Sequence, residues 1–201
     1  MSRHRAGLEG RSSLPRGGAP AALAAALALV ALLAAGASAR EHAPVAARAG
    51  LTSSAAAAQV WASDAALVYV ENDEDLDDQG AAPRWGYLYF SASLQKARAY
   101  SVRDGEVVVA EDLEMQFEAP PVATEWIDSG AALAAAEARA GRAFRHDHEG
   151  RLATMLLTRG TFQVGDPNVT TWTLIYTAPH APSLFVMVDA ALGTVLRTWR
   201  G

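Results

Sequence analysis

The spacing of apolar and polar positions changes period several times along this chain, and each change marks an element. Residues 20–39, "PAALAAALALVALLAAGASA", form an almost purely apolar run. Over residues 52–65, "TSSAAAAQVWASDA", Ala57, Val60, Trp61 and Asp64 recur at helical spacing behind Thr and Ser, which predicts one short helix. "ALVYVEN" (66–72) is β-rich, and "DEDLDDQGAAP" (73–83) then forces a turn. "RWGYLYFSA" (84–92) alternates Trp85, Tyr87 and Tyr89 with Leu88 and Phe90, the pattern of a strand partly covered on both faces. "KARAYSV" (96–102) and "EVVVAEDLEMQF" (106–117) are two further strands. Asp104-Gly105 between them fits a tight hairpin that needs positive φ.

The same order then returns. After the proline-broken "EAPPVATEWIDSG" (118–130), Asp128 or Ser129 can cap a helix over "AALAAAEARAG" (131–141). Ala132, Leu133, Ala136, Ala140 and Phe144 share one of its faces, and Gly141 stands near its end. "RLATMLLTRGTFQV" (151–164) predicts a strand, followed by a Gly-Asp-Pro-Asn turn at 165–168 and a strand over "TWTLIYTA" (171–178). "SLFVMVDAALGTVLRTWR" (183–200) is a hairpin turning near Ala190 to Gly193. Trp172 and Tyr176 answer Trp85 and Tyr89, and Asp189 with Gly193 answers Arg103 with Gly105. A unit of about 60 residues buries only about 60% of its surface, so two such units are expected to pack together. The expectation is therefore an α+β fold of two repeated helix-plus-antiparallel-sheet units. Its boundaries are an export signal at 1–39, a linker at 40–50, and units at 51–118 and 119–201.

The closing sweep resembles the PepSY domain of thermolysin-type protease propeptides and exported bacterial proteins, a helix-on-sheet arrangement that is also cystatin-like. The matching residues are Trp172, Tyr176, Leu184, Val186, Val188, Asp189, Ala190, Gly193, Val195 and Leu196. The first unit keeps Trp85, Tyr89 and Gly105 but has Arg103 where the second has Asp189. The resemblance implies an extracytoplasmic, non-catalytic module that binds or restrains peptidases, with no catalytic residue to carry over. Trp85, Tyr89, Gly105, Trp172, Tyr176, Asp189 and Gly193 are its structural signature.

Composition sharpens the setting. Arg3, Arg5, Arg11 and Arg16 precede the apolar run and Ala37-Ser38-Ala39 closes it, which is the pattern of an export signal cleaved after Ala39. A membrane enters only if the segment stays uncleaved, since its run is short of the roughly 20 apolar residues that span a bilayer. The chain has no cysteine, which removes disulfides and thiolate chemistry. From Arg40 onward thirteen Lys and Arg face twenty-one Asp and Glu, a net charge of −8 that argues against nucleic acid as a partner. A single lysine against sixteen arginines, amid abundant alanine, fits a GC-rich bacterial genome.

Three constellations invite chemistry, and each has a plainer reading. "HDHE" (His146 to Glu149) places two imidazoles and two carboxylates where the helix gives way to a strand, but only His42 and His180 remain beyond residue 40 to complete a metal site. Asp73, Asp75 and Asp77 alternate like a calcium loop, yet Asp78 stands at the sixth position where glycine is needed and Arg84 at the twelfth where glutamate is needed. "SLQK" (Ser93 to Lys96) lacks the S-D-N and K-T-G companions of penicillin-interacting serine enzymes. Asn168-Val169-Thr170, formally a glycosylation sequon, reads as part of a turn. No catalytic role, cofactor or metal is therefore expected. The leading function is an exported binding module for a protein partner, a peptidase or another envelope protein, engaged through a sheet face or an open edge. The alternative is a metal- or small-molecule-responsive sensor using the HDHE turn or the acidic loop, and an unrecognised hydrolase ranks third.

Overall fold

Period-two alternation governs most of the chain beyond residue 65, and among the described residues it is realised as eight antiparallel strands in one sheet. The computed structural model describes residues 42–113, 120–160 and 168–201, so the expected export signal, residues 114–117 and 161–164 of the expected strands and the Gly165-Asp166-Pro167 part of the predicted turn lie outside the described residues. The strands are β1 (Ala66–Asn72), β2 (Arg84–Ser91), β3 (Lys96–Arg103), β4 (Glu106–Leu113), β5 (Arg151–Arg159), β6 (Thr170–Ala178), β7 (Ala181–Asp189) and β8 (Val195–Arg200). Their order across the sheet is β4-β3-β2-β1-β5-β6-β7-β8. Two helical segments cover one face. The first is a 3-10 turn (Ala47–Gly50) leading into α1 (Leu51–Trp61). The second runs from α2 (Ser129–Ala136) through a π-turn (Glu137–Gly141) into α3 (Arg142–His148).

This corrects the expected α+β pair of repeated helix-plus-sheet units, PepSY/cystatin-like and packed together. The first strand of each half, β1 and β5, pair with each other through Tyr69↔Thr158, Val70↔Leu157 and Glu71↔Leu156. The halves therefore share one ladder and one core, and no boundary falls between them. Alternation along a strand reports which side chains face inward, but not which strand lies alongside. With β1 and β5 both placed centrally, their otherwise open edges satisfy each other.

That seam is short, and side chains reinforce it. Where the β1–β5 pairs end, the Asn72 amide continues the ladder: its Oδ1 accepts from Met155 N–H at 2.8 Å, and its Nδ2 donates to the carbonyls of Ala153 at 3.3 Å and Glu74 at 3.0 Å. Above the two central strands, Trp85 on β2 and Trp172 on β6 reach across to meet edge-to-face, with ring centroids 6.3 Å apart. Trp126 packs on Trp172 at 5.7 Å. Each indole N–H is spent on a carbonyl just ahead of a helix, Trp85 on Val45 and Trp172 on Ile127, both at 2.8 Å.

The starts of the two helical segments are tied together as well. Ala47 N–H donates to Ser129 Oγ at 3.1 Å, and one oxygen of Asp128 accepts both Arg48 N–H and Ser129 N–H. Residues 42–50, expected as a linker, are thus part of the fold: Val45 bridges Ala82, and Ala47 and Gly50 are buried. The helix faces follow the sequence expectation in the second segment, where Ala140 also packs at the margin of the core, and only in part in α1, where Ala57 and Trp61 pack against the core but Val60 does not. In α1 it is Ser54 and Ala58 that are buried, whereas Val60 is 89% exposed. In the second segment Gly141 does not end the helix. The wider π-turn rephases it so that Ala132, Leu133, Ala136 and Phe144 all face the sheet.

Tyrosines of the sheet fasten it to the helices, Tyr100 among them through the Ala57 carbonyl at 3.4 Å. Tyr87 donates to the Ala47 carbonyl at 2.6 Å, Tyr89 shares a 3.0 Å hydrogen bond with Ser54, and Tyr176 lies under Gly141, where any Cβ would collide with its hydroxyl and ring. Burial pushes the Tyr87 and Tyr176 hydroxyls well above the ordinary tyrosine range, and at Tyr176 the charge of Glu137 adds to it.

Three outcomes are expected. Trp85→Ala and Trp172→Ala should each cost about 3–5 kcal/mol, with a coupling of about 0.5–1.5 kcal/mol in a double-mutant cycle by denaturant unfolding, because the rings touch. Asn72→Ala leaves Met155 N–H buried without its acceptor and should cost about 1–3 kcal/mol by the same measurement. Finally, the folded tyrosines hold their protons beyond the point where unfolded ones release them. Their stabilisation is complete below about pH 10 and declines above it until the folded hydroxyls themselves ionise. Tyr176→Phe should make the alkaline fall in unfolding midpoint shallower, by about 1.4 kcal/mol per pH unit in free energy.

Candidate functional site

The three constellations of the sequence are placed apart, and each is consumed by local structure. In the HDHE stretch, His146 is 87% exposed at the end of α3 and bonds its neighbour Asp147 at 2.8 Å. His148 lies beside the Phe144 ring and contacts Arg200 at 2.9 Å. Glu149, at φ 52°, terminates the helix in the left-handed region. His42 pairs with Asp104 at 2.5 Å beside the β3–β4 turn, and His180 is exposed in the β6–β7 turn. Among the described residues no three His, Asp or Glu side chains converge as a metal site would require.

The acidic loop is neutralised residue by residue rather than gathered around a cation. Arg84 lies 3.5 Å from Asp73 and 3.8 Å from Glu74, Arg103 bonds Glu74, and Ser101 donates to Asp73. Arg151 lies 3.8 Å from Asp75, and Arg145 bonds Asp78 at 2.8 Å. Asp77 instead folds back, accepting the N–H groups of Gln79 and Ala81 at 2.8 and 2.9 Å. Ser93 of the SLQK stretch donates through backbone and side chain to Asp64, which also accepts from Ser91 at 2.7 Å. The Ser91 hydrogen bond, followed by that from the Ser93 backbone, holds the Asp64 carboxyl below its usual range. Ser93 is thereby a turn residue, and Lys96 is exposed at the start of β3.

The signature residues of the sequence resolve into core and turn. Trp85, Tyr89, Trp172 and Tyr176 are buried on the helix side of the sheet. Asp189 Oδ1 accepts from Ala191 and Leu192 at 2.8 and 3.0 Å, and Gly193 at φ 69° returns its N–H to the Asp189 carbonyl at 2.9 Å. Gly105 at φ 77° closes the opposite hairpin after Asp104 at φ 52°.

One polar group escaped the sequence reading. Glu137, at the π-turn, is almost fully buried. One of its oxygens accepts from Arg145 at 2.8 Å, and the other lies beside the Tyr176 hydroxyl under Gly141. Its only sequence trace is an acidic residue in an alanine-rich helix at a position that must face inward. Arg145 links it onward to Asp78, beside a cleft of about 360 Å³ lined by Leu76, Leu133, Leu152 and Arg151 among others. Arg145, held by Glu137, ties the second helical segment to the acidic loop through Asp78, while the second Glu137 oxygen stays buried without a hydrogen bond.

What remains open is backbone. Among the described residues β4 and β8 each have a neighbour on one side only, and β4 is exposed along most of its length. Val108 and Val109 on β4 are 48% and 42% exposed, and Leu196 on β8 is also exposed. A strand edge of this kind presents unpaired N–H and C=O groups in a row and can accept a further strand.

Among the described residues no helix is long and apolar enough to cross a membrane. No family model matches the chain, and no curated protein matches it. Among solved structures it is similar in fold to the crystal structure of a "putative lipoprotein" from Clostridium difficile 630, at 14% sequence identity and a TM-score of 0.51. The alignment covers 76% of this chain and 93% of that one.

Proposed function

We propose that this chain is an exported, non-catalytic binding module of PepSY-like character, which captures an extended segment of a protein partner, a peptidase or another envelope protein, by adding it as a strand. The observation that carries this reading is the contrast between side chains and backbone. The clustered ionisable groups are committed to one another in ion pairs, turns and caps, whereas the two sheet edges offer main-chain hydrogen-bonding groups to the outside. A surface of that kind binds through backbone pairing and takes its specificity from alternate side chains. The arginine-led apolar segment at the N-terminus supports export, as does the resemblance of the closing hairpin to the PepSY pattern.

Photo-crosslinking in the native cells tests this. A benzophenone side chain at Val109 or Leu196, on the two edges, should trap a discrete protein adduct. The same group at Val60, on the outer surface of α1, should not. Adducts of equal yield at all three positions, or none at the edges, would discard strand capture. If the trapped partner is a peptidase, adding the purified module should change its rate on a fluorogenic substrate.

A further inference from the structure

We infer that the receiving edge is β4 and that it selects an extended segment with the pattern basic, any, apolar, any, basic; this rests on the strand-capture reading above. The two edges differ in charge and in how far their side chains are already occupied. On β8, Arg200 lies 4.4 Å over the Phe144 ring and donates to the Pro182 carbonyl, Arg197 sits over Trp199, and Trp199 stacks on Phe185 at 5.0 Å. On β4, Glu106, Glu111 and Asp112 are exposed acids. Arg98 lies 3.3 Å from Asp112, while Glu106 and Glu111 have no ion pair among the described residues.

Register converts this charge into a pattern. On β3, the neighbour that β4 already has, Ala99, Ser101 and Arg103 stand opposite Glu111, Val109 and Glu106. Three alternate positions on β3 thus span five residues apart on β4, because a bulge at Ser101/Val102 absorbs Val108. Glu106, Val109 and Glu111 consequently share the helix-free face of the sheet. A regular strand added on the outer side of β4 would oppose them at its own alternate positions. Cross-strand neighbours of opposite charge stabilise and like charges destabilise, so those positions call for a cation, an apolar residue and a cation.

The same charges exclude a second copy pairing edge to edge through β4, since acids would face acids. The β8 edge of another copy fits no better: Arg197 and Trp199 face the helix-free side opposite Met187 and Phe185, but Arg200 lies opposite Leu184 on the other side, leaving one cation where the pattern needs two.

The test uses synthetic nine-residue peptides centred on Lys-Thr-Val-Thr-Lys, with Glu-Thr-Val-Thr-Glu as the charge-reversed control. Each is titrated into the chain from residue 40 onward, with binding measured by calorimetry and amide hydrogen exchange read across residues 106–113 and 195–200. The lysine peptide should protect β4 amides and bind roughly tenfold more tightly than the glutamate peptide, a preference that weakens as salt is added. The double variant Glu106→Lys/Glu111→Lys changes only exposed side chains and should reverse the preference; circular dichroism checks that it stays folded. Equal binding of the two peptides, or an unchanged preference in the variant, overturns the charge pattern. Protection on β8 instead overturns the choice of edge while leaving strand capture standing. If no peptide protects either edge, the β4 assignment fails, and crosslinking at Val109 or Leu196 then decides whether strand capture fails with it. A sedimentation shift to dimers or longer assemblies without peptide would favour self-association and overturn the proposal.

Discussion

The pairing of β1 with β5 is the constraint on which the architecture depends. Each half of the chain brings a four-stranded antiparallel meander, and without this seam each would expose the long inner edge of its first strand. Three residue pairs make the junction, and Asn72 extends it with hydrogen bonds to the β5 main chain. Such a short ladder is weak by itself. Its support comes from above, where Trp85 and Trp172 span it, and from the cap at Asp128, which holds the beginnings of both helical segments with one carboxylate oxygen. Removing a polar partner at any of these points leaves a donor in the dry interior, where the loss is greater than that of an exposed hydrogen bond.

The sequence disclosed elements better than it disclosed neighbours. The alternation of Trp85, Tyr87 and Tyr89 placed their side chains inward, and Asp104-Gly105 marked a hairpin whose φ values of 52° and 77° are those the turn demands. The landmarks shared by Trp85 with Trp172 and Tyr89 with Tyr176 led to an expectation of two separate sheets. Lateral pairing of β1 and β5 overturns it, and nothing in a strand's own periodicity encodes its partner. Val60 misled for a related reason. Helical spacing alone fitted several faces of an alanine-rich segment, and the face chosen by packing is the one where Ser54 and Ala58 allow close approach. Gly141 looked like a helix stop because a glycine near a helix end usually is one. Here it makes room for the Tyr176 ring instead.

The same reasoning explains why the candidate chemistry dissolved. A motif records which ionisable residues are close in sequence, whereas chemistry needs them to converge in space with free valence. Asp73, Asp75 and Asp77 point to separate partners, and Glu137, which no motif marked, is a carboxylate embedded in the fold as deeply as the turn residue Asp189. The candidate surface was legible only in outline. An open edge could be foreseen from the number of strands, but identifying β4 as that edge required the complete strand order.

The central seam also bears on how the chain becomes folded. Asn72 and the Met155 amide it accepts from are 83 residues apart, so β1 lacks one of its two neighbours until β5 is available. Closing so long a loop defers the reward for ordering the first half, and contacts of this range slow folding. A chain emerging N-terminus first would therefore stay open along β1 while residues beyond 113 are still being supplied. It reaches its native core in a late, concerted step rather than half by half.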